Sequence, residues 1–223
     1  NRHKVQDLSQ VVTQPYDRIR TDLQDRYYDL HPYNIVRIIK GRELETDTPD
    51  GENVYTRAAD YCRAWLDAGY LQRGAKPALY VYHQTFTLPN GGERTRKAFV
   101  AALELVRFEE GIVLPHERTL SGPKVDRLNL MRATEVNFGQ IFMLSPDPEN
   151  RINAMLDAAV AGHKPDIDVR ELFEADVRQQ VWVVDDADVV AQVVAEMAPK
   201  RGLIIADGHH RYETAINYRD EMR

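Results

Sequence analysis

Residues 203–211 join a short apolar run to a charged turn, in the order Leu-Ile-Ile-Ala-Asp-Gly-His-His-Arg. A continuous apolar run of this length is typical of a strand buried in a sheet. Gly208 permits a sharp turn, and apolar residues after it recur at helical spacing. The segment therefore predicts a strand, a turn and a helix. Asp207 falls at the carboxyl end of the strand, where α/β proteins commonly bind ligands.

The rest of the chain mixes hairpin and helix signals. Two β-rich stretches, 78–88 and 96–106, are joined by Pro89-Asn90-Gly91-Gly92, which favours an antiparallel hairpin. Further strands are predicted at 34–39, 141–144 and 180–184, and helices at 58–68, 125–136, 152–159 and 188–197. We expect an α/β fold of mixed α+β type, with a mixed sheet, a β-hairpin and flanking helices. We also expect one domain over residues 1–223, incomplete at both ends, with a possible subdivision near 145–180.

Four helix details can be tested directly. An apolar stripe that includes Cys62 and Leu66 is predicted to face the core, with Gly69 ending that helix. Asp188 is the expected cap of the helix that follows it, and Val194 is expected to face inward.

Composition narrows the classes of function. The net charge of −6 argues against broad binding of nucleic acid or of an anionic membrane, although a local basic pocket is compatible with it. The single cysteine cannot form an internal disulfide, and no apolar run approaches the roughly 20 residues that span a bilayer. We therefore expect a cytoplasmic protein whose partners are small molecules. The sequence leaves a homo-oligomer open.

The helix that begins near His209 has the features of an anion site. The first turn of a helix exposes unpaired backbone amides and the positive end of the helix dipole, which favour phosphate or carboxylate. Arg211 adds a planar fork suited to phosphate oxygens. Asp207 could orient an imidazole, hold Mg²⁺ or accept a proton. The candidate phosphate ligands in this segment are Gly208, His209, His210 and Arg211.

Two other interpretations of this segment stay open. Asp207 could cap the helix while the histidines are solvated surface residues. A zinc site is the weaker alternative, because adjacent histidines rarely share one metal and no paired-cysteine pattern accompanies them.

A second polar segment covers residues 114–127. Glu117 is a candidate general base and His116 a candidate proton shuttle, while Lys124 and Arg127 are candidate anion clamps. The alternative is structural, with Ser121 capping the next helix and the charged side chains solvated.

Several ordered motifs resemble those of the bacterial and archaeal domain of unknown function 1015 family. They are Pro15-Tyr16-Asp17, the run from His31 to Arg37, the run from Leu114 to Leu120, Asp126-Arg127, Arg132-Ala133-Thr134, Asn137-Phe138 and the run from Ile205 to Ala215. The resemblance spans nearly the whole chain. The family name carries no activity.

The Asp-Gly-His-His-Arg segment also resembles that of free-serine kinases in the superfamily of ParB and sulfiredoxin. This resemblance implies a ParB/sulfiredoxin-like nucleotide site near the C-terminal end of the chain, with phosphate held at residues 208–211 and Asp207 near the reacting hydroxyl or cation. It suggests phosphoryl transfer to or from serine or phosphoserine, with ADP, ATP or another phosphate donor and with Mg²⁺ as cofactor. Two alternatives remain, a nucleotide-responsive ParB-like regulatory module and a phosphomonoester hydrolase.

Overall fold

The computed structural model describes residues 3–117, 122–173 and 176–223, and within them the protein is a mixed α/β structure with two sheets. The described helices are α1 (Thr21–Leu30), α2 (Val36–Ile39), α3 (Val54–Asp67), α4 (Gly122–Thr134), α5 (Arg151–Val160), α6 (Ala187–Met197) and α7 (His209–Glu221). The described strands are β1 (Leu79–Thr87), β2 (Glu93–Val100), β3 (Val113–Leu114), β4 (Phe142–Leu144), β5 (Ile167–Arg170), β6 (Val177–Val184) and β7 (Leu203–Asp207). No helix in these residues is both long and apolar enough to cross a membrane.

The predicted hairpin belongs to a four-stranded antiparallel sheet with the order β2-β1-β6-β5. Gly91 has a φ of 83°, as the tight turn between β1 and β2 requires. One face of this sheet is apolar and packs on α5 and α6, with a core of Leu79, Val81, Ile152, Leu156, Val184 and Val193. The hairpin is therefore confirmed, but it lies outside the mixed sheet.

The mixed sheet has three strands in the order β3-β7-β4. β3 runs parallel to β7, and β4 runs antiparallel to it. Val113, Leu203 and Ile205 form a core with Tyr212 and Ile216 of α7. The parallel pairing is decisive for the site, because it places the carboxyl ends of β3 and β7 at the same edge of the sheet.

Residues 34–39 were predicted as a strand, and the structure corrects this to the short helix α2. The buried Asn34 side chain accepts a hydrogen bond from Val36 N at 2.9 Å and donates to Gln10 O at 2.7 Å. The β-branched residues of the segment favour a strand. The local cap and the packing of Ile38 against α3 override that preference.

Smaller predictions had mixed outcomes. Cys62 is buried and Gly69 adopts a φ of 71° after α3, as expected, whereas Leu66 is about half exposed. The cap of α6 is Asp186 rather than Asp188, since its carboxylate accepts from two first-turn amides at 3.0 and 3.1 Å. Val194 of that helix is 55% exposed and does not face the core.

Candidate functional site

The parallel β3–β7 pair brings the two polar segments of the sequence together. His116 follows β3, and its backbone N–H donates to Nε2 of His209 at 3.2 Å. The two imidazole rings meet edge to face with centroids 4.5 Å apart. His116 Nδ1 also contacts the carbonyl oxygen of Ile205. Residues 93 positions apart in the chain thus form one polar cluster at the end of β7.

His209 is the buried centre of this cluster. Its side chain is inaccessible to solvent, and Glu117 Oε1 lies 3.1 Å from its Nδ1, although this contact lacks the direction of a hydrogen bond. Burial lowers the pKa of His209, while the negative charge of Glu117 opposes that effect. Because Nε2 accepts a hydrogen bond, the neutral ring carries its proton on Nδ1, toward Glu117. His209 is therefore a neutral imidazole rather than a solvated surface residue.

Arg211 is held in a narrow cradle beside Asp207. Its guanidinium pairs with the Asp207 carboxylate and donates from Nη1 to Gln140 O at 2.5 Å. A Cβ atom at Gly139 would lie 2.8 Å from Arg211 Cδ, and one at Gly208 would lie 3.0 Å from Nε. Gly208 also has a φ of 95°, which favours glycine. An added methyl group at either position would force the Arg211 side chain to shift from this place.

The exposure of the two partners differs. The Arg211 side chain is 16% exposed, whereas Asp207 is 65% exposed. An ion pair with so exposed a carboxylate contributes little to stability, typically about 0–1 kcal/mol. A bound anion can therefore compete with Asp207 for the guanidinium at small cost.

Two further cations lie on α4, which packs against α7. Arg127 donates to Ile39 O at 3.0 Å, pairs with Asp126 at 2.5 Å and lies 3.9 Å above the Tyr16 ring. Lys124 pairs with Glu213 of α7 at 2.7 Å. Both predicted anion clamps thus lie on the helix that packs against α7, but only Lys124 contacts α7 directly, and both are paired with carboxylates.

Tyr16 is a site residue that the sequence-based candidates omitted. Burial raises its pKa, while the positive charges of Arg127 and Arg211 oppose the rise, so it lies within electrostatic range of both arginines. The preceding segment is anchored because Tyr27 Oη donates to the buried Glu171 carboxylate at 2.7 Å and accepts from Gln14 N at 3.0 Å. The motif Pro15-Tyr16-Asp17 was the available signal.

Gly139 and Gln140 were omitted as well. They directly follow Asn137-Phe138, but neither a glycine nor a backbone carbonyl carries a chemical signature that reveals a contact with Arg211. His210 is partly buried at the second position of α7. Ser121, the alternative cap of α4, lies outside the described residues.

The carboxylates of the site are its candidate ligands for a metal ion. Among the described residues, no group of three His, Cys, Asp or Glu side chains is arranged to hold a metal ion. Mg²⁺ in phosphate-binding sites commonly uses one or two carboxylates together with substrate oxygens, and the exposed Asp207 carboxylate fits that role.

One concavity away from this site has a volume of about 210 Å³. Three arginines line it with Tyr28, Gly41, Leu44, Val54 and Tyr61. Arg57 is held by Asp47 at 2.5 and 2.8 Å, and Arg42 by Asp25 at 2.7 Å. These pairs tie the loop between α2 and α3 to the helices, which gives Arg42 and Arg57 a structural role.

The fold and site define a mixed α/β protein with a charged strand–turn–helix site at the end of a three-stranded sheet. The chain belongs to the family described as a protein of unknown function (DUF1015), whose model matches residues 1–223. Comparison with curated proteins gave no match, and neither did comparison with solved structures.

Proposed function

We propose that the protein transfers a phosphoryl group to or from the hydroxyl of a small metabolite, with serine or phosphoserine as the substrate class and ADP or ATP as the nucleotide. One observation carries the proposal. Two exposed carboxylates, Asp207 and Glu117, both act electrostatically on the neutral His209 at the start of α7, where Arg211 is already held in a glycine cradle. The resemblance of this segment to free-serine kinases supports the same chemistry.

The phosphate would bind at the first turn of α7. The hydrogen bonds of this helix begin with Tyr212 N donating to Gly208 O at 2.9 Å, so its first turn lies directly at the end of β7. The amides of a first helical turn and the helix dipole favour an anion. Arg211 would exchange Asp207 for phosphate oxygens and hold them with two N–H groups.

The proton of the substrate hydroxyl needs an acceptor. As the hydroxyl oxygen forms its bond to phosphorus and the bond to the leaving phosphate oxygen breaks, the proton would pass to the Asp207 carboxylate. The Glu117 carboxylate, whose Oε1 lies 3.1 Å from His209 Nδ1, would be the second candidate acceptor of this proton. Where Glu117 takes the proton, Asp207 would be free to hold Mg²⁺ together with phosphate oxygens, and the cation would neutralise charge on the phosphates.

A thermal-shift experiment tests the ligand class. ADP, ATP and pyrophosphate are added separately with Mg²⁺ and the melting temperature is measured. A ligand present at 100 times its dissociation constant stabilises the folded protein by about 2.7 kcal/mol, or roughly 5–10 °C for a chain of this size. If none of the three ligands raises the melting temperature, the phosphate site is wrong.

A further inference from the structure

The antiparallel sheet has a polar face opposite the one that packs on α5 and α6. Gln84 stands opposite Arg96 of β2 on one side and opposite Gln179 of β6 on the other. Residues that are directly opposite in a ladder share a face, so these three side chains form a row across the sheet. Tyr82, two positions before Gln84 on β1, lies on the same face.

Contacts within this row hold its polar groups in place. Tyr82 Oη bonds Gln179 Oε1, and Gln84 Nε2 lies 3.4 Å from both of these atoms. Burial raises the pKa of Tyr82, while the positive charge of Arg96 opposes the rise. A sheet face that serves only for packing is usually occupied by β-branched and aromatic side chains. A half-buried row of amides and a hydroxyl instead provides oriented hydrogen-bonding groups.

Arg96 differs from the other cations near the site. Arg211, Arg127 and Lys124 are each paired with a carboxylate. No acidic side chain among the described residues pairs with Arg96. Its guanidinium instead lies 5.1 Å from the ring centroid of Phe142 and 5.8 Å from that of Phe86. Aromatic contacts orient the guanidinium and leave its N–H groups available to an anion.

Phe142 connects Arg96 to the phosphate site. It is the first residue of β4 and stands opposite Asp207 in the β4–β7 ladder. Opposed residues of antiparallel strands have Cα atoms roughly 4.5–5.5 Å apart. Taken end to end, these contacts set an upper limit of roughly 15 Å between the Arg96 guanidinium and Asp207 Cα, a span that a small phosphorylated metabolite and the side chains that bind it can bridge.

We infer that Arg96, supported by Gln84 and Tyr82, binds a carboxylate group of the substrate. This inference rests on the proposed function, because it assigns the substrate of the same site. It restricts that substrate to small hydroxy acids or amino acids and their phosphate esters. The guanidinium would take the carboxylate through two N–H groups, while the phosphoryl group lies at the start of α7.

The test compares two ligands that differ only in the carboxylate. L-phosphoserine and O-phosphoethanolamine share the phosphate and the amine, and their affinities are measured by calorimetry without nucleotide. The natural sequence should bind phosphoserine about 10- to 100-fold more tightly. Arg96→Leu should abolish that preference and leave the affinity for phosphoethanolamine unchanged, and Arg96→Lys should recover only part of it.

Arg94→Leu is the matched control. Arg94 lies two residues away on the same face of β2, and its guanidinium donates to the carbonyl of its neighbour Glu93 at 2.9 Å. This variant should keep the full preference for phosphoserine. Equal affinity of the natural sequence for the two ligands would overturn the inference, as would failure to bind either, or a preference that survives Arg96→Leu.

A parallel titration with ADP separates this inference from the proposed function. If ADP fails to bind while the carboxylate preference depends on Arg96, the carboxylate subsite stands and the nucleotide-dependent function fails. If ADP binds and the preference is absent, the subsite fails while the nucleotide site stands.

Discussion

Gly139→Ala tests the Arg211 cradle without removing any charge. The added Cβ would lie 2.8 Å from Arg211 Cδ and 3.1 Å from Nη1, and the lower limit of ordinary contact is 3.4 Å. The arginine must therefore move, and we expect this shift to weaken its 2.5 Å bond to Gln140 O. Gly139 does not have a positive φ, so the backbone itself tolerates alanine.

The expected cost falls on ligand binding. A guanidinium that is displaced rather than deleted should lose part of a charge-assisted hydrogen bond, about 1–2 kcal/mol. Affinity for ADP or pyrophosphate should fall by roughly 5- to 30-fold. Calorimetry with Mg²⁺ measures this change, and the melting temperature without ligand should change little, because alanine also restricts the unfolded chain.

Gly92→Ala provides the control for an added methyl group. Gly92 lies in the hairpin turn, where a Cβ would meet only Asn90 Oδ1 at 3.5 Å. This variant should bind ligand as the natural sequence does. Unchanged affinity in Gly139→Ala would refute the reasoning that the position of Arg211 controls phosphate binding.

Three further predictions concern individual side chains. Arg211→Ala should weaken ADP binding in calorimetry by about 10- to 100-fold, and Arg211→Lys should have an affinity between those of the natural sequence and Arg211→Ala. Loss of the bond to Gln140 O should lower the melting temperature of unliganded Arg211→Ala by about 2–4 °C. Unchanged affinity with a large loss of stability would show Arg211 to be a structural residue. Asp207→Asn or Glu117→Gln should abolish phosphate transfer in a turnover assay while leaving the circular dichroism spectrum unchanged, and wild-type turnover in both would show the base to be misassigned. Because burial lowers the pKa of His209, the unfolded chain takes up more protons than the folded protein as the pH falls below about 6.5, and the folded protein loses stability there. Thermal melts from pH 7 to 5 should show a smaller loss of stability in His209→Gln than in the natural sequence. Identical losses in the two proteins would contradict a buried neutral imidazole.

Local signals in the sequence were sufficient for some elements. Asn90-Gly91 predicted the hairpin, because the turn between its two strands requires a positive φ. The spacing of Ile152 and Leu156 predicted α5. The apolar run followed by Asp207-Gly208 predicted β7 and the start of α7. These features depend on neighbours in the chain, which a sequence shows directly.

Long-range pairing was not predictable in the same way. β3 has only two residues and lies in a short apolar run between Gly111 and Pro115, so no periodic pattern marks it. Its parallel pairing with β7 is what brings Glu117 to His209. The division into two sheets likewise depends on which strands pair, and strand propensity does not determine that.

The helix α2 shows a tertiary contact overriding a local preference. Val36, Ile38 and Ile39 favour a strand by propensity. The buried Asn34 side chain instead caps a helical turn and bonds Gln10 O, a residue 24 positions away. Sequence alone does not show that this side chain is buried.

The central claim is tested most directly by looking for the product of phosphoryl transfer. The protein is mixed with Mg²⁺ and L-serine, with ATP or ADP in separate reactions, and phosphoserine is followed by ³¹P NMR. The account predicts that phosphoserine forms, and that Asp207→Asn abolishes its formation while retaining the fold. If nucleotide binds but no phosphate moves to serine or from phosphoserine, the protein is a nucleotide-binding module and the proposed chemistry is wrong.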